Sequence, residues 1–209
     1  MAFLPVGTVV DGEPVGDDGF WLFDVLSLAG DDVRKLGYAE RWALLWHEVE
    51  PALSGPVRVL PVMEGEAKRA LCEALQAARA EGIVFKHRDA PYTAGRPSSG
   101  GPQRKHKFLR TADVLVVENA GNAYRMAVWD GRSLLDVGKV FAGTTNDSRR
   151  DLDARLAAGE RPVAEVRYLY ATKDLQLFQP VFVRLRDDKA DAACGRDQLV
   201  GTNRAVIGG

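Results

Sequence analysis

The sequence has 209 residues, 46% of them apolar and 27% charged, enough for one large domain or two small ones with buried cores. Its formal net charge of −1 excludes the uniformly basic body of a histone-like nucleic-acid binder, so any such contact must be local. Charge is polarised along the chain: no Lys or Arg precedes Arg34, whereas Lys86, Arg88, Arg96, Arg104, Lys105, Lys107 and Arg110 face only Glu81 and Asp89 between residues 81 and 110.

VGTVVDG (6–12) and FWLFDVL (20–26) read as two strands around the turn-like GEPVGDDG, a hairpin. YAERWALLWHEV (38–49) spaces Trp42, Leu45, Trp46 and Val49 as a helix stopped by Pro51, with both tryptophans in the core. VRVLPVM (57–63) reads as a strand. EGEAKRALCEALQAARAEG (64–82) is a helix with Ala70, Leu71, Ala74, Leu75 and Ala78 on one face and Gly82 as its stop, and IVFK follows as a buried strand.

After Pro102 the pattern becomes a meander: HKFLR (106–110), ADVLVVEN (112–119), AYRMAVWD (123–130) and SLLDVGKVFAG (133–143). A helix over 147–160, capped by Asp147 or Ser148, precedes strands at 163–172 and 175–186. Five strands and one helix suit a small Greek-key barrel of the OB type, although periodicity does not choose it over other small barrels. The boundary falls near 109–112.

Cys72 and Cys194 lie far apart without metal-ligand spacing, and His47, His87 and His106 read as ordinary surface or half-buried residues. The acidic N-terminal stretch is unlike a signal peptide, and no apolar run nears the roughly 18 residues of a membrane span, so a cytoplasmic protein is expected.

Strand alternation puts Phe20, Leu22 and Asp24 on one face and Trp21 and Phe23 on the other, which leaves an aromatic surface a purine could stack on. Lys105 and Lys107, two apart, share a strand face, where their repulsion is relieved by an anion such as a polyphosphate or by solvation at a sheet edge. Glu81 offers the oxygen ligand that Mg²⁺ prefers.

In order along the chain, Asp11-Gly12-Glu13, Phe20-x-x-Phe23-Asp24 (with Gly30 and Glu40-Arg41), Glu81-Gly82-x-x-x-Lys86 and Lys105-x-Lys107 resemble motifs of the ATP-dependent DNA ligase family. That family belongs to the covalent nucleotidyltransferases, with RNA ligases and mRNA capping enzymes. Val137-Gly138-Lys139-Val140 with Gly143, VAEVRY (163–168) and Pro180-x-Phe182-x-Arg184-Leu185-Arg186-Asp187-Asp188-Lys189 resemble the OB domain of bacterial and phage ligases.

The resemblance implies an α+β chain. Residues 1–110 would form an N-terminally truncated nucleotidyltransferase (adenylation) domain of mixed and antiparallel sheet with helices, and residues 111–209 an all-β OB-fold barrel with one helix. It implies that Phe20 stacks on the adenine of ATP or AMP, that Glu13 lies near ribose or metal, that Glu81 serves Mg²⁺, and that Lys86, Lys105 and Lys107 grip phosphate. Arg184, Arg186 and Lys189 would turn toward the β- and γ-phosphates. Arg96, Arg104 and Lys139 would meet nicked or duplex nucleic acid, DNA rather than RNA, by cationic, sequence-independent contact.

The nucleophilic lysine of the family's K-x-D-G motif is missing: no K-x-D-G occurs in the 209 residues, and the first lysine is Lys35. No catalytic residue is therefore assigned, and autonomous ATP-dependent ligation is not expected. Three readings stand: one half of a split ligase completed by a separate lysine-bearing polypeptide, a catalytically degenerate nucleic-acid binder, or a module that self-associates through an exposed sheet edge. Sealing of a pre-adenylylated nick does not need the nucleophile.

Overall fold

The computed structural model describes residues 4–14, 19–95 and 101–201. They form two compact units, the first ending at His106 and the second beginning at Lys107. No helix among the described residues is long and apolar enough to cross a membrane.

In the first unit, β1 (Val9–Pro14) pairs antiparallel with β2 (Phe20–Leu28), from Val9 opposite Ser27 to Pro14 opposite Phe20. The short β3 (Asp31–Asp32) folds back on the end of β2. Leu22 and Val25 point inward to meet Val33, Leu45, Val49 and Val59 in one apolar cluster.

Helix α1 (Tyr38–Leu44) starts where the Gly37 amide donates to Glu40 Oε2 at 2.8 Å, satisfying one orphan donor of the first turn. The single helix expected over 38–49 is instead α1 followed by a π-helical turn (Leu45–Val49) and a 3₁₀ turn around Pro51. Its buried stripe is Tyr38, Arg41, Leu45 and Val49. The tryptophans lie beside that stripe, their rings stacked 5.4 Å apart, and Trp46 is 39% exposed, which corrects its expected place in the core.

β4 (Val57–Val59) runs parallel to β2 and is shorter than the 57–63 expected, because Pro61 has no amide to continue the ladder. Helix α2 (Ala67–Ala77) is shorter than 64–82 and buries none of its residues. It closes in a Schellman turn: the Arg79 amide bonds Gln76 O at 3.1 Å, the Ala80 amide bonds Leu75 O at 2.9 Å, and Arg79 itself takes the left-handed conformation at φ +61°. Gly82, the expected stop, opens β5 (Gly82–Lys86), which pairs with β6 (Gln103–Lys107) as a two-stranded sheet. With no third layer in that sheet, Val84 and Phe85 stay 47% and 44% exposed, so β5 is not the buried strand expected.

The second unit is a five-stranded antiparallel sheet of β7 (Arg110–Asn119), β8 (Tyr124–Asp130), β9 (Ser133–Val140), β10 (Val163–Tyr168) and β13 (Val181–Leu185), in spatial order β13-β10-β7-β8-β9. That is the strand order of an OB fold. The sheet does not close by a strand ladder among the described residues; past the end of β9, the Phe182 amide bonds Ala142 O at 2.8 Å. This approach needs Gly143, because a Cβ there would lie 2.2 Å from Phe182 O. A strand at 106–110 is not formed: β6 ends at Lys107, Phe108 is buried, and β7 starts at Arg110.

Helix α3 (Asn146–Ala157) is capped by Thr145 rather than Asp147 or Ser148, with Thr145 Oγ1 accepting from the Ser148 amide at 3.2 Å. Leu152 on α3 enters the core with Ala112, Val114, Val116, Met126, Val128, Val137, Ala164 and Val166. The last two expected strands are broken: 163–172 is β10 and β11 (Tyr170–Ala171), interrupted at Leu169, and 175–186 is β12 (Leu177–Phe178) and β13, separated by the left-handed Gln179.

Candidate functional site

The period-2 alternation of β2 that buries Leu22 also buries Asp24, which is fully inaccessible. A carboxylate there must be paired, and Arg41 reaches it from α1. Arg41 Nε lies 2.8 Å from Asp24 Oδ1 and Nη2 3.0 Å from Oδ2, a two-point contact with both side chains 1% exposed. The same guanidinium donates through Nη1 to Leu36 O and Ala90 O, tying the loop before α1 to the segment after β5.

Lys86, the last residue of β5, joins this pair. Its Nζ lies 3.5 Å from Asp24 Oδ2 and 3.3 Å from Phe23 O, with the Tyr38 ring centroid at 4.3 Å and the Phe23 centroid at 4.9 Å. Burial holds the Lys86 amine below the ordinary lysine range, and Asp24 opposes that shift. Burial beside Asp24 raises the Tyr38 phenol. Tyr92 OH approaches Asp11 Oδ2 at 3.5 Å. Residues 11, 24, 38, 41, 86 and 92 thus form one polar cluster in which two cations share Asp24.

Of the other residues expected at a nucleotide site, Glu13 and Phe20 lie on the β1–β2 hairpin that carries Asp24. The Phe20 ring packs over Gly12, since a Cβ on Gly12 would stand 2.7 Å from Phe20 Cε1 and 2.6 Å from Trp21 O. Phe20 keeps 39% of its surface exposed, and Glu13, opposite Trp21, is also exposed. Glu81 is exposed directly before β5. No group of three or more His, Cys, Asp or Glu that could hold a metal occurs among the described residues, yet Mg²⁺ is usually held by one or two carboxylates together with substrate phosphates, a role open to Glu81.

Lys105 and Arg104 are exposed on β6, whereas Lys107, half-buried, donates to Gln179 Oε1 at 2.9 Å within the second unit. Arg96 lies outside the described residues. Lys139 is exposed on β9 opposite Arg125, which is itself held by Glu118 at 2.7 Å and Asp136 at 3.0 Å.

The three cations at the end of the OB sheet do not project freely. Arg184 meets Glu165 at 2.8 Å; Arg186 grips Asp188 at 2.8 and 2.9 Å and Asp113 at 3.2 Å; Lys189 bonds Asp113. Arg186 holds the Asp188 carboxyl down to about 2. Asp113 and Glu165 sit on adjacent strands in direct register, so this neutralising network is built into the sheet. Neither carboxylate was visible as a site residue in the sequence; the signal was an acidic residue inside an otherwise apolar strand, ADVLVV.

No family model matches the chain. It is 30% identical over 173 residues to a "Probable DNA ligase" of Kineococcus radiotolerans, covering 78% of this chain and 33% of the relative. It is 29% identical over 203 residues to the "Multifunctional non-homologous end joining protein LigD" of Mycolicibacterium smegmatis, covering 81% and 26% respectively. The chain therefore spans about a third of the first relative's length and about a quarter of the second's. Its fold is similar to that of a solved Lig E DNA ligase, with a TM-score of 0.57 at 19% identity over 80% of this chain and 63% of that one. With the motifs standing in the order described above, these similarities are consistent with a member of the DNA ligase family.

Proposed function

We propose that this chain is an ATP-dependent DNA ligase-like module that binds ATP or AMP with Mg²⁺ on the Phe20 hairpin and contacts nicked or duplex DNA, without adenylylating itself. The observation that carries the reading is the buried Asp24–Arg41–Lys86 cluster. It gathers three motif segments, separated by up to 62 residues, behind the hairpin that presents Gly12, Glu13 and Phe20. Arg41 and Lys86 share the Asp24 carboxylate in a half-dry setting, with Asp11 also acting on Lys86, so the cluster fixes these motif segments together behind the hairpin. Phe20 would stack on adenine, Glu81 would bind Mg²⁺ through nucleotide phosphates, and Lys105 would meet phosphate.

Incubation of the chain with α-³²P-ATP and Mg²⁺ should leave no label on denatured protein, because no K-x-D-G lysine is present in the 209 residues; a stable labelled band defeats this reading. Equilibrium dialysis should show ATP binding that Phe20→Ala weakens. A substrate nick that already carries AMP then separates a sealing module from a binder, since sealing requires the metal and phosphate contacts but not the nucleophile.

A second reading is favoured by α2, which buries no residue, and by exposed Val84 and Phe85 on β5. Such apolar surface suits a lysine-bearing polypeptide that completes a split ligase. Restoration of covalent adenylylation on adding a K-x-D-G-containing segment of a relative tests it, and continued inactivity of the mixture rejects it.

A further inference from the structure

The connection between β10 and β13 carries an aromatic feature that the nucleotide site does not use. In its hairpin, Tyr170 stands opposite Phe178 and Ala171 opposite Leu177. Alternation sends Ala171 and Leu177 into the core, at 4% and 6% exposure, and turns both rings outward. There they stack with centroids 4.8 Å apart and planes 21° from parallel, and Phe178 remains 40% exposed.

The hairpin is held firmly. The Thr172 amide bonds Gln176 O at 2.9 Å, the Gln176 amide bonds Thr172 Oγ1 at 3.1 Å, and Gln176 Nε2 reaches across to Asp136 O at 2.9 Å. Cations reach the residues next to the ring pair on both strands: Lys107 Nζ bonds the side chain of Gln179, which follows Phe178, and the Arg110 guanidinium bonds Leu169 O, which precedes Tyr170. Lys173 and Asp174 are both exposed near the hairpin turn.

We infer that the Tyr170–Phe178 pair is a stacking platform for an unpaired nucleobase of single-stranded DNA. The inference deepens, and rests on, the nucleic-acid-binding reading above. Leu177 and Ala171 already anchor the hairpin, so exposed rings add little to folding, whereas every base offers a π-face to them. The connection between the fourth and fifth strands is one of the loops through which OB folds take oligonucleotides. Lys107, Arg110 and Lys173, on or bonded to the hairpin, suit the phosphates on either side of a stacked base. An uncharged apolar peptide would gain nothing from them.

The test uses the full chain and a single-stranded oligonucleotide carrying 2-aminopurine, read by anisotropy and by quenching. Phe178→Ala should weaken binding roughly 5- to 100-fold, the range for loss of one base–aromatic stack, and should abolish quenching. Phe178→Trp should restore both. Phe178→Leu keeps apolar bulk against Tyr170, and so the hairpin, but should not restore them. Binding of the Ala and Leu variants like the parent, or rescue by Leu, overturns the inference. A parent chain that binds blunt duplex but not single strand overturns the platform alone; one that binds neither overturns the nucleic-acid reading as well.

Discussion

Arg41 and Asp24 hold each other by two parallel hydrogen bonds of 2.8 and 3.0 Å with almost no access to water. An ion pair in this position is unlike the many exposed pairs of the chain, such as Arg34–Asp32, whose partners are more than half exposed and are screened by solvent. Losing one member leaves a desolvated charge alone.

Arg41→Ala should therefore destabilise the first unit by about 3–5 kcal/mol. Arg41→Lys should recover only part of this, because an ammonium cannot reproduce the fork. Urea unfolding followed by tryptophan fluorescence in a Trp129→Phe background, which leaves Trp21, Trp42 and Trp46 of the first unit as reporters, reads that unit. The double variant Arg41→Met/Asp24→Asn should be less destabilised than Arg41→Ala; an additive loss would show that the pair is not coupled.

Lys86 gives a pH signature. Its folded-state pKa is lowered by burial, so between that value and the ordinary lysine value of 10.5 the unfolded chain binds more protons than the folded one. Stability then rises with pH across this window, and the cost of burying the charged amine is fully present below it. Compared with Lys86→Met, the parent chain should gain stability on moving from neutral pH toward pH 10.5. A ¹³C-labelled lysine Cε resonance that titrates with the bulk lysines would reject the shift.

Much of this architecture was legible in the sequence, because period-2 alternation around Leu22 and Asp24 and the run of short strands after Pro102 are local signals. The stripe 38, 41, 45, 49 was not, since a buried arginine does not register as apolar; the two tryptophans drew the core assignment instead. The helix end at Arg79 was missed for a similar reason, as a left-handed turn is ordinarily marked by glycine and Gly82 lay close by. Asp113 and Glu165 could be recognised as partners of Arg184, Arg186 and Lys189 only once β7, β10 and β13 were in register, a long-range fact that no window of sequence contains.

The two long helices end alike but with different residues. In α3 the Schellman position is Gly159 at φ +80°, and in α2 it is Arg79 at φ +61°. A side chain in this conformation costs about 1–2 kcal/mol, partly offset by the lower backbone entropy lost on folding relative to glycine. Arg79→Gly should stabilise the first unit by about 0.5–1 kcal/mol and Gly159→Ala should destabilise the second by about 1 kcal/mol, both read from urea midpoints at constant m.

Asp113 is the hub of the charge network at the end of the OB sheet, 7% exposed and bonded by both Arg186 and Lys189. Its amide and carbonyl are in turn clasped by Gln198, so the backbone should hold when only the carboxylate is changed. Asp113→Asn removes the charge that neutralises two cations while keeping the shape of the side chain. If those cations become available to phosphates, duplex DNA affinity should rise, and the slope of log K against log salt should steepen by about 0.9 for each new contact. Arg186→Ala in the same background should reverse the steepening. An unchanged slope in Asp113→Asn would mean that Asp188 and Glu165 hold these cations without it, so that the network serves the sheet alone.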